Sequence, residues 1–320
     1  LEFRRVLFRS GPLAVVAGRR ARSAARLVPA VLALWGMARP LQLLAVALVA
    51  ANGLLIARAG GAVPDLPTLA WSGLALLLVA LSIHYVNEWA DVETDARTRP
   101  TRYSGGSGVL PAKLVAPAFA LRAAWGTLLA GLALGVAGVV GGVLAPAVLG
   151  CLALGALGGW QYSLGPLKLA WRGWGELDNA LLGGLLLHLY GHATATGALA
   201  PGPLLVCLPF TLLTFTNLLA TTWADRAADA AVGKRTLATR LAPRTLRGFY
   251  ALLAAAAYGW LLAGAGRWLP VPVALAGLAA LPASLRGWRA YTRVHAPHAS
   301  THAMAVMLIG QMVAWWWVGG

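Results

Sequence analysis

The chain alternates long apolar segments with short polar ones, and nine apolar segments are long enough to cross a membrane as helices. A helix that crosses a hydrocarbon core about 30 Å thick needs roughly 20 mostly apolar residues, and Gly and Pro are tolerated in it. The pattern therefore predicts an all-α fold, a multi-span membrane helix bundle around a central cavity. The predicted spans are residues 38–58, 68–88, 117–139, 145–163, 176–198, 201–221, 245–264, 268–284 and 301–318.

The composition supports the same class. The chain has 320 residues, of which 59% are hydrophobic and 11% are charged, and its mean hydropathy is +0.71. So few polar residues cannot cover a water-soluble surface, which indicates an integral membrane protein in contact with a lipid bilayer. We divide it into a basic tail, residues 1–35, and a transmembrane domain, residues 36–320. The chain opens with Leu1 rather than Met, so we expect part of the tail to be non-native.

The positive charges lie almost entirely on one side of the predicted bundle. Of the 26 Lys and Arg residues, all except Arg58 and Arg267 fall on the side of the N-terminal segment and of the loops after the second, fourth, sixth and eighth spans. This asymmetry follows the positive-inside rule and predicts a cytoplasmic N-terminus, in a prokaryotic plasma membrane. The net charge of +16 therefore reflects topology and attraction to anionic lipid, and we expect no nucleic-acid partner.

Two acidic clusters stand at membrane-edge ends of the predicted spans. The first contains Asn87, Asp91 and Asp95, and the second contains Asp225 and Asp229. Charges are costly where lipid begins, so such carboxylates indicate a functional site. Residues four apart share one helix face, and each cluster thus presents a row of oxygen ligands of the kind that Mg²⁺ prefers.

The two clusters also share a sequence pattern. The string Trp-Ala-Asp-x-x-x-Asp occurs at residues 89–95 and again at residues 223–229. A repeat of this kind predicts two similar metal-binding helix ends that face each other across the bundle. Arg97, Arg102 and Lys234 lie beside the clusters on the same predicted side, where they would attract a polyanionic substrate.

This arrangement suits the chemistry of a diphosphate ester. Carboxylates bind a diphosphate only through divalent cations, and Mg²⁺ takes one or two protein carboxylates together with water and phosphate oxygens. Such metals make diphosphate a better leaving group, and nearby basic side chains stabilise the charge that develops. An apolar cavity could hold an isoprenoid tail and exclude water from the carbocation that remains. The sequence thus predicts a Mg²⁺-dependent enzyme with its active site on the cytoplasmic side.

Several motifs resemble those of the UbiA family of intramembrane aromatic prenyltransferases. Residues 87–95, Asn-Glu-Trp-Ala-Asp-Val-Glu-Thr-Asp, look like the family's first aspartate-rich motif, and residues 225–229 look like its second. Three other segments match those of the family in the same order. They are Arg39-Pro40 at the first span, Tyr162-Ser163 followed by Pro166 and Lys168, and the segment 233–238, Gly-Lys-Arg-Thr-Leu-Ala. The resemblance covers roughly residues 36–318.

The resemblance implies specific roles for these residues. It implies magnesium ligation by Asn87, Asp91, Asp95, Asp225 and Asp229, with the four aspartates as the catalytic groups. It also implies substrate contacts by a second set, which comprises Arg39, Asn87, Arg97, Arg102, Tyr162, Lys168 and Lys234. One position departs from the family pattern, because Glu88 stands where the family usually has Asp.

The expected function is transfer of a prenyl group from an isoprenyl diphosphate to an aromatic, quinone-precursor acceptor. Within the family, residues 104–110 and 172–177 look most like the branch related to the 1,4-dihydroxy-2-naphthoate prenyltransferases of menaquinone synthesis. A membrane-bound terpene cyclase is an alternative within the same family. A cation or organic-anion transporter is an alternative of another class, although transporter sites usually lie near the bilayer centre and these clusters lie at one edge. A third alternative is a catalytically silent membrane scaffold, which would show no magnesium-dependent binding of a ligand.

Overall fold

The computed structural model describes residues 30–98, 101 and 105–320. Within these ranges all of the regular secondary structure is helical, apart from one isolated bridge between Ala265 and Leu269. Arg102, which the sequence predicts to contact substrate, and residues 1–29 of the basic tail lie outside the described part of the chain. The all-α prediction is confirmed.

The helices follow one another with short connections. Residues 30–37 are helical and form α1. The others, in chain order, are α2 (Pro40–Ala59), α3 (Leu66–Ala90), α4 (Val92–Asp95), α5 (Pro117–Val140), α6 (Pro146–Ser163), α7 (Leu169–Arg172), α8 (Gly175–Ala180), a π-helical segment (Leu181–Leu186), α9 (Leu187–Thr196), α10 (Gly202–Ala231), α11 (Leu237–Arg240), α12 (Pro243–Gly264), α13 (Val271–Leu278), α14 (Leu281–Ala290) and α15 (His298–Val318).

Six helical stretches in the described part of the chain are long and apolar enough to cross a membrane. They are Pro40–Ala59, Leu66–Ala90, Pro117–Val140, Gly202–Ala231, Pro243–Gly264 and Val271–Ala290. The other predicted spans also coincide with helical segments, namely α6, the run from α8 to α9, and α15. The prediction of a membrane-spanning helical bundle is therefore confirmed, and the count of nine spans stays a prediction.

The sixth predicted span ends too early. Hydropathy places its end at residue 221, whereas α10 continues without a break to Ala231. The alanines and the arginine among the residues that end the apolar run have high helix propensity, which offsets the lower propensity of the Thr and Asp residues beside them. The helix stops only before Gly233, whose φ of +78° suits glycine. Asp225 and Asp229 therefore lie on one continuous helix, four residues apart.

Two helices approach so closely that only glycine fits between them. A Cβ atom at Gly53 of α2 would lie 2.1 Å from the carbonyl oxygen of His188, and one at Gly191 of α9 would lie 1.9 Å from that of Ala50. Small residues allow helix backbones to come this near in membranes. The contact also carries a buried polar pair, in which Asn52 Nδ2 lies 3.1 Å from Nε2 of His188. The packing of α2 against α9 fixes one wall of the cavity described below.

Candidate active site

A cavity of about 410 Å³ opens among α2, α3, α6, α8, α9 and α10. Its lining has a polar end, formed where α3 and α10 end, and an apolar interior. Most of the site residues predicted from the sequence line the polar end. They are Arg39, Asn87, Asp91, Asp95, Tyr162, Asp225, Asp229 and Lys234.

The first acidic cluster keeps helical geometry across the end of α3. The Asp91 backbone N–H donates to the carbonyl of Asn87 at 2.9 Å, and the Asp95 N–H donates to the carbonyl of Asp91 at 2.8 Å. The side chains therefore stand on one face, and Asn87 Nδ2 donates to Asp91 Oδ2 at 2.9 Å. Asn87 also donates to the hydroxyl of Ser163 on α6 at 3.1 Å, which orients its amide.

Lys234 joins the two clusters. Its ammonium nitrogen lies 3.0 Å from Asp91 Oδ1 and 3.8 Å from Asp229 Oδ1, and the side chain is buried. The carboxylates of α3 and α10 thus lie close enough to share one cation. This proximity is the arrangement that the repeated Trp-Ala-Asp-x-x-x-Asp string predicts.

The charges at this end of the cavity are crowded. Burial, together with the neighbouring charge of Asp91, raises the pKa of Asp95 to about 7. Burial alone would lower the pKa of Lys234, but Asp91, Tyr162 and Asp229 together outweigh it and the pKa is raised, so the ammonium stays charged. Asp95 Oδ2 and Asp225 Oδ1 are buried without a hydrogen-bond partner in the described part of the chain. Uncompensated carboxylate oxygens of this kind favour the binding of a further cation.

The donor set fits a hard divalent cation that is shared with a phosphate ligand. Its atoms are carboxylate and amide oxygens of Asn87, Asp91, Asp95, Asp225 and Asp229. No three His, Cys, Asp or Glu side chains in the described residues converge into a complete metal cage. Mg²⁺ does not need such a cage, because it is usually bound through one or two carboxylates while water and phosphate oxygens complete its octahedron.

The interior of the cavity is apolar. Leu76, Val79, Cys151, Leu182 and Leu186 are among the side chains that line it. A second apolar cavity of about 180 Å³ shares Val46, Leu76, Ala80 and Tyr190 with the first, and Leu69 and Leu77 of α3 also line it. The site therefore combines a charged end with an extended hydrocarbon-lined space.

Comparison of the sequence with protein families gives a match to the UbiA prenyltransferase family over residues 43–309. The chain belongs to the UbiA prenyltransferase family. The resemblance noted from the motifs is confirmed at the level of the family, while assignment to the naphthoate branch stays a prediction. A comparison with curated proteins found no match.

Solved UbiA structures share the fold. A UbiA homolog from Archaeoglobus fulgidus bound to GPP and Mg²⁺ is 15% identical, covers 89% of this chain and 99% of its own, and superposes with a TM-score of 0.65. An apo UbiA homolog from Aeropyrum pernix K1 is 18% identical, with coverages of 84% and 96% and a TM-score of 0.65. A digeranylgeranylglyceryl phosphate synthase is 13% identical, with coverages of 91% and 98% and a TM-score of 0.62. This UbiA-family chain spans nearly the whole length of each.

Glu88, the residue that departs from the usual UbiA motif, has a defined structural role. Its carboxylate is buried, accepts from Arg39 Nε at 2.7 Å and accepts from the Ser107 backbone N–H at 2.9 Å. The Ser107 hydroxyl donates to its other oxygen. The segment that Glu88 anchors reaches the first acidic cluster, because a Cβ atom at Gly106 would lie 2.0 Å from Asp95 Oδ2. Glu88 therefore holds Arg39 and this glycine-rich segment against the acidic cluster.

We expect Glu88→Gln to destabilise the protein markedly, because the part-buried Arg39 loses its counter-ion. Breaking a buried ion pair costs on the order of 3 kcal/mol, and partial exposure of Arg39 reduces that figure. The matched control is Glu93→Gln, since the exposed Glu93–Arg97 pair contributes only about 0–1 kcal/mol. Thermal unfolding in detergent measures both. Equal thermal midpoints for the two variants would contradict the role given to Glu88.

Two predicted substrate contacts lie outside the cavity lining. Arg97 points toward Glu93, with its Nη2 atom 2.7 Å from Glu93 Oε1, and both side chains are largely exposed. Lys168 is exposed and has a left-handed backbone with φ of +43°. The structure therefore brings neither residue together with the two acidic clusters. Their substrate-binding roles, like that of Arg102, stay predictions.

The sequence analysis missed several polar residues of the cavity. Asp178 and Asn179 of α8 line it, as do Asn217 and Thr222 of α10. Asp178 carried a signal that could have been used, because it lies inside the predicted span 176–198 and an ionisable residue inside a span indicates a functional site. Asn217 and Thr222 had no comparable signal, since uncharged polar residues are common in membrane helices.

Proposed function

We propose that this UbiA-family protein transfers a prenyl group from an isoprenyl diphosphate to an aromatic acceptor, with Mg²⁺-assisted loss of diphosphate. The observation that carries the proposal is the junction at Lys234, where carboxylates from both aspartate motifs meet at the polar end of an apolar cavity. The Archaeoglobus fulgidus homolog bound to GPP and Mg²⁺ supports the same class of substrate and metal.

The residues of the polar end would bind the diphosphate. Asn87, Asp91 and Asp95 would hold Mg²⁺ from α3 and α4, while Asp225 and Asp229 would hold it from α10. When bound, Mg²⁺ would offset phosphate charge and so make diphosphate a better leaving group. The ammonium of Lys234 and the guanidinium of Arg39 line the same end and stabilise the negative charge that develops there.

The apolar interior would hold the isoprenoid. Its side chains offer hydrocarbon contacts along the tail and keep water from the allylic carbocation that forms when the C1–O bond breaks. The second cavity, reached past Val46, Leu76, Ala80 and Tyr190, extends the space that a longer tail can fill. No protein nucleophile is needed, because the acceptor ring itself attacks C1.

The proposed acceptor is an aromatic quinone precursor, and a naphthoate of the menaquinone route is the first candidate. Residues 104–110 and 172–177, which resemble the naphthoate branch of the family, support it. The proposed setting is the plasma membrane of a prokaryote with the polar end facing the cytoplasm, which the distribution of Lys and Arg supports.

The test is a reaction of purified protein in detergent or nanodiscs with Mg²⁺, isoprenyl diphosphates of several lengths and a panel of hydroxybenzoates and naphthoates. Diphosphate release and product mass are measured together, with EDTA as the control. We expect both to require Mg²⁺ and to yield a prenylated aromatic product. A cyclised hydrocarbon formed without acceptor would establish the terpene cyclase instead. Absence of diphosphate release with every donor would overturn the enzyme proposal.

A further inference from the structure

A carboxylate outside the two aspartate motifs lines the cavity. Asp178 lies on α8, and its Oδ2 atom is buried without a hydrogen-bond partner in the described part of the chain. Within the described residues, no Lys, Arg or His side chain forms an ion pair with Asp178. A buried carboxylate oxygen without a partner opposes folding, so it indicates a function rather than a role in stability.

Asp178 lies where the polar end of the cavity meets the apolar interior. Two residues before it, Glu176 accepts a hydrogen bond at 2.9 Å from the backbone N–H of Leu237, just beyond the segment that carries Lys234. One turn after it, Leu182 and Gly183 line the apolar interior. In the proposed reaction the diphosphate occupies the polar end and the tail occupies the interior. The reacting C1 atom therefore lies at the boundary, at the level of Asp178.

Asp178 packs closely against the facing helix α6. On the facing helix α6, Gly155 and Gly159 line the cavity, and a Cβ atom added at Gly158 would lie 3.2 Å from Asp178 Oδ1. The same Cβ atom would lie 2.9 Å from Leu182 Cδ1, so the absence of a side chain at Gly158 lets Leu182 and Asp178 pack directly against α6. This close packing holds the Asp178 side chain in place at the cavity wall.

We propose that Asp178 is the catalytic base that removes the ring proton of the acceptor, an inference that rests on the proposed function. The C1–O bond of the donor breaks and its electron pair leaves with diphosphate. A ring carbon of the acceptor then donates a pair to C1 and forms the new C–C bond. The proton on that ring carbon passes to the Asp178 carboxylate, and its bonding pair restores the aromatic ring. Atoms and charge balance without any further reactant.

Asp178→Asn tests the proposal, because the amide keeps the shape of the side chain but cannot take a proton. A positioned base contributes about 10²–10⁴-fold to rate, so we expect prenylated product to form at least about 100-fold more slowly. We also expect a primary isotope effect with acceptor deuterated at the reacting carbon, because proton removal becomes rate-limiting. Binding of a non-reactive thio-analogue of the donor with Mg²⁺ should be unchanged. Asp178→Glu should restore part of the rate.

The matched control is Asp65→Asn, at the far end of α3. Asp65 is exposed and caps α3 by accepting from the Thr68 N–H at 2.8 Å, a role that Asn fills equally well. It should react like the wild type. Asp178→Asn with a wild-type rate, without an isotope effect, or with lost donor binding would overturn the assignment of Asp178. Failure of the wild type to release diphosphate would instead overturn the proposed function.

Discussion

Replacing Asp91 or Asp225 with alanine should abolish turnover, and Asp225→Ala should do so while leaving the protein folded and inserted. In the proposed mechanism, each variant removes an oxygen ligand of Mg²⁺ from one of the two acidic clusters. The loss of metal-borne charge stabilisation is worth several kcal/mol, so we expect a fall in kcat/KM of about 10³-fold or more. The rate of diphosphate release from an isoprenyl diphosphate with Mg²⁺ measures this fall in kcat/KM, and size-exclusion chromatography in detergent checks the fold.

Thermal stability separates this loss of function from misfolding. Asp225 Oδ1 is buried and unpartnered in the described structure, so Asp225→Ala relieves an unfavourable group and should unfold in the absence of Mg²⁺ at a temperature no lower than the wild type. Glu93→Ala is the control within the same motif, because Glu93 lies between Asp91 and Asp95 and its side chain is 68% exposed. Near-normal turnover in Asp91→Ala or Asp225→Ala would remove the role assigned to the aspartates.

Gly191→Ala should be the most damaging of the conservative substitutions. The added Cβ atom would lie 1.9 Å from the carbonyl oxygen of Ala50, and because that oxygen belongs to the α2 backbone, it cannot move aside as a flexible side chain can. Helices α2 and α9 must separate, which costs about 3 kcal/mol or more. The yield of monodisperse protein and its thermal midpoint in detergent measure the effect.

Gly126→Ala provides the comparison for that substitution. Gly126 is an exposed residue of α5, and a Cβ atom there would meet nothing within 4 Å. Alanine is the better helix former by about 1 kcal/mol, so this variant should be as stable as the wild type or slightly more stable. Equal stability of the two alanine variants would show that α2 and α9 do not depend on the close backbone contact.

The sequence predicted the features that follow from local rules. Apolar runs long enough to cross a membrane predicted the long helices. Carboxylates four residues apart, as at Asp225 and Asp229, stand on one helix face in the structure, as their spacing predicted. The boundaries were less predictable, because hydropathy changes where charge begins, whereas α10 ends where backbone conformation requires it. The π-helical segment Leu181–Leu186 could not be predicted, since its wider turn depends on packing against α10 and not on its own residues.

The parts of the site that could not be predicted from the sequence depend on contacts between residues distant in sequence. The bridge from Lys234 to Asp91 joins residues 143 positions apart, and the bond from Ser107 to Glu88 connects a glycine-rich segment to a helix. A positive charge near an acidic motif predicts attraction in general terms, but only the fold decides which oxygen it reaches. The converse holds for Arg97, whose charge lies close to Asp95 in sequence while its side chain pairs with Glu93.

The length of α10 sets which part of a bound substrate would lie in the headgroup layer and which part would lie in the hydrocarbon core. The helix has 30 residues, and its uncharged part, residues 202–224, rises about 35 Å at 1.5 Å per residue, close to the roughly 30 Å of a hydrocarbon core. The remaining turns, with Asp225 and Asp229, therefore project into the hydrated headgroup zone. An isoprenyl diphosphate bound as proposed would therefore keep its anionic head at the level of the lipid headgroups and its chain within the hydrocarbon core.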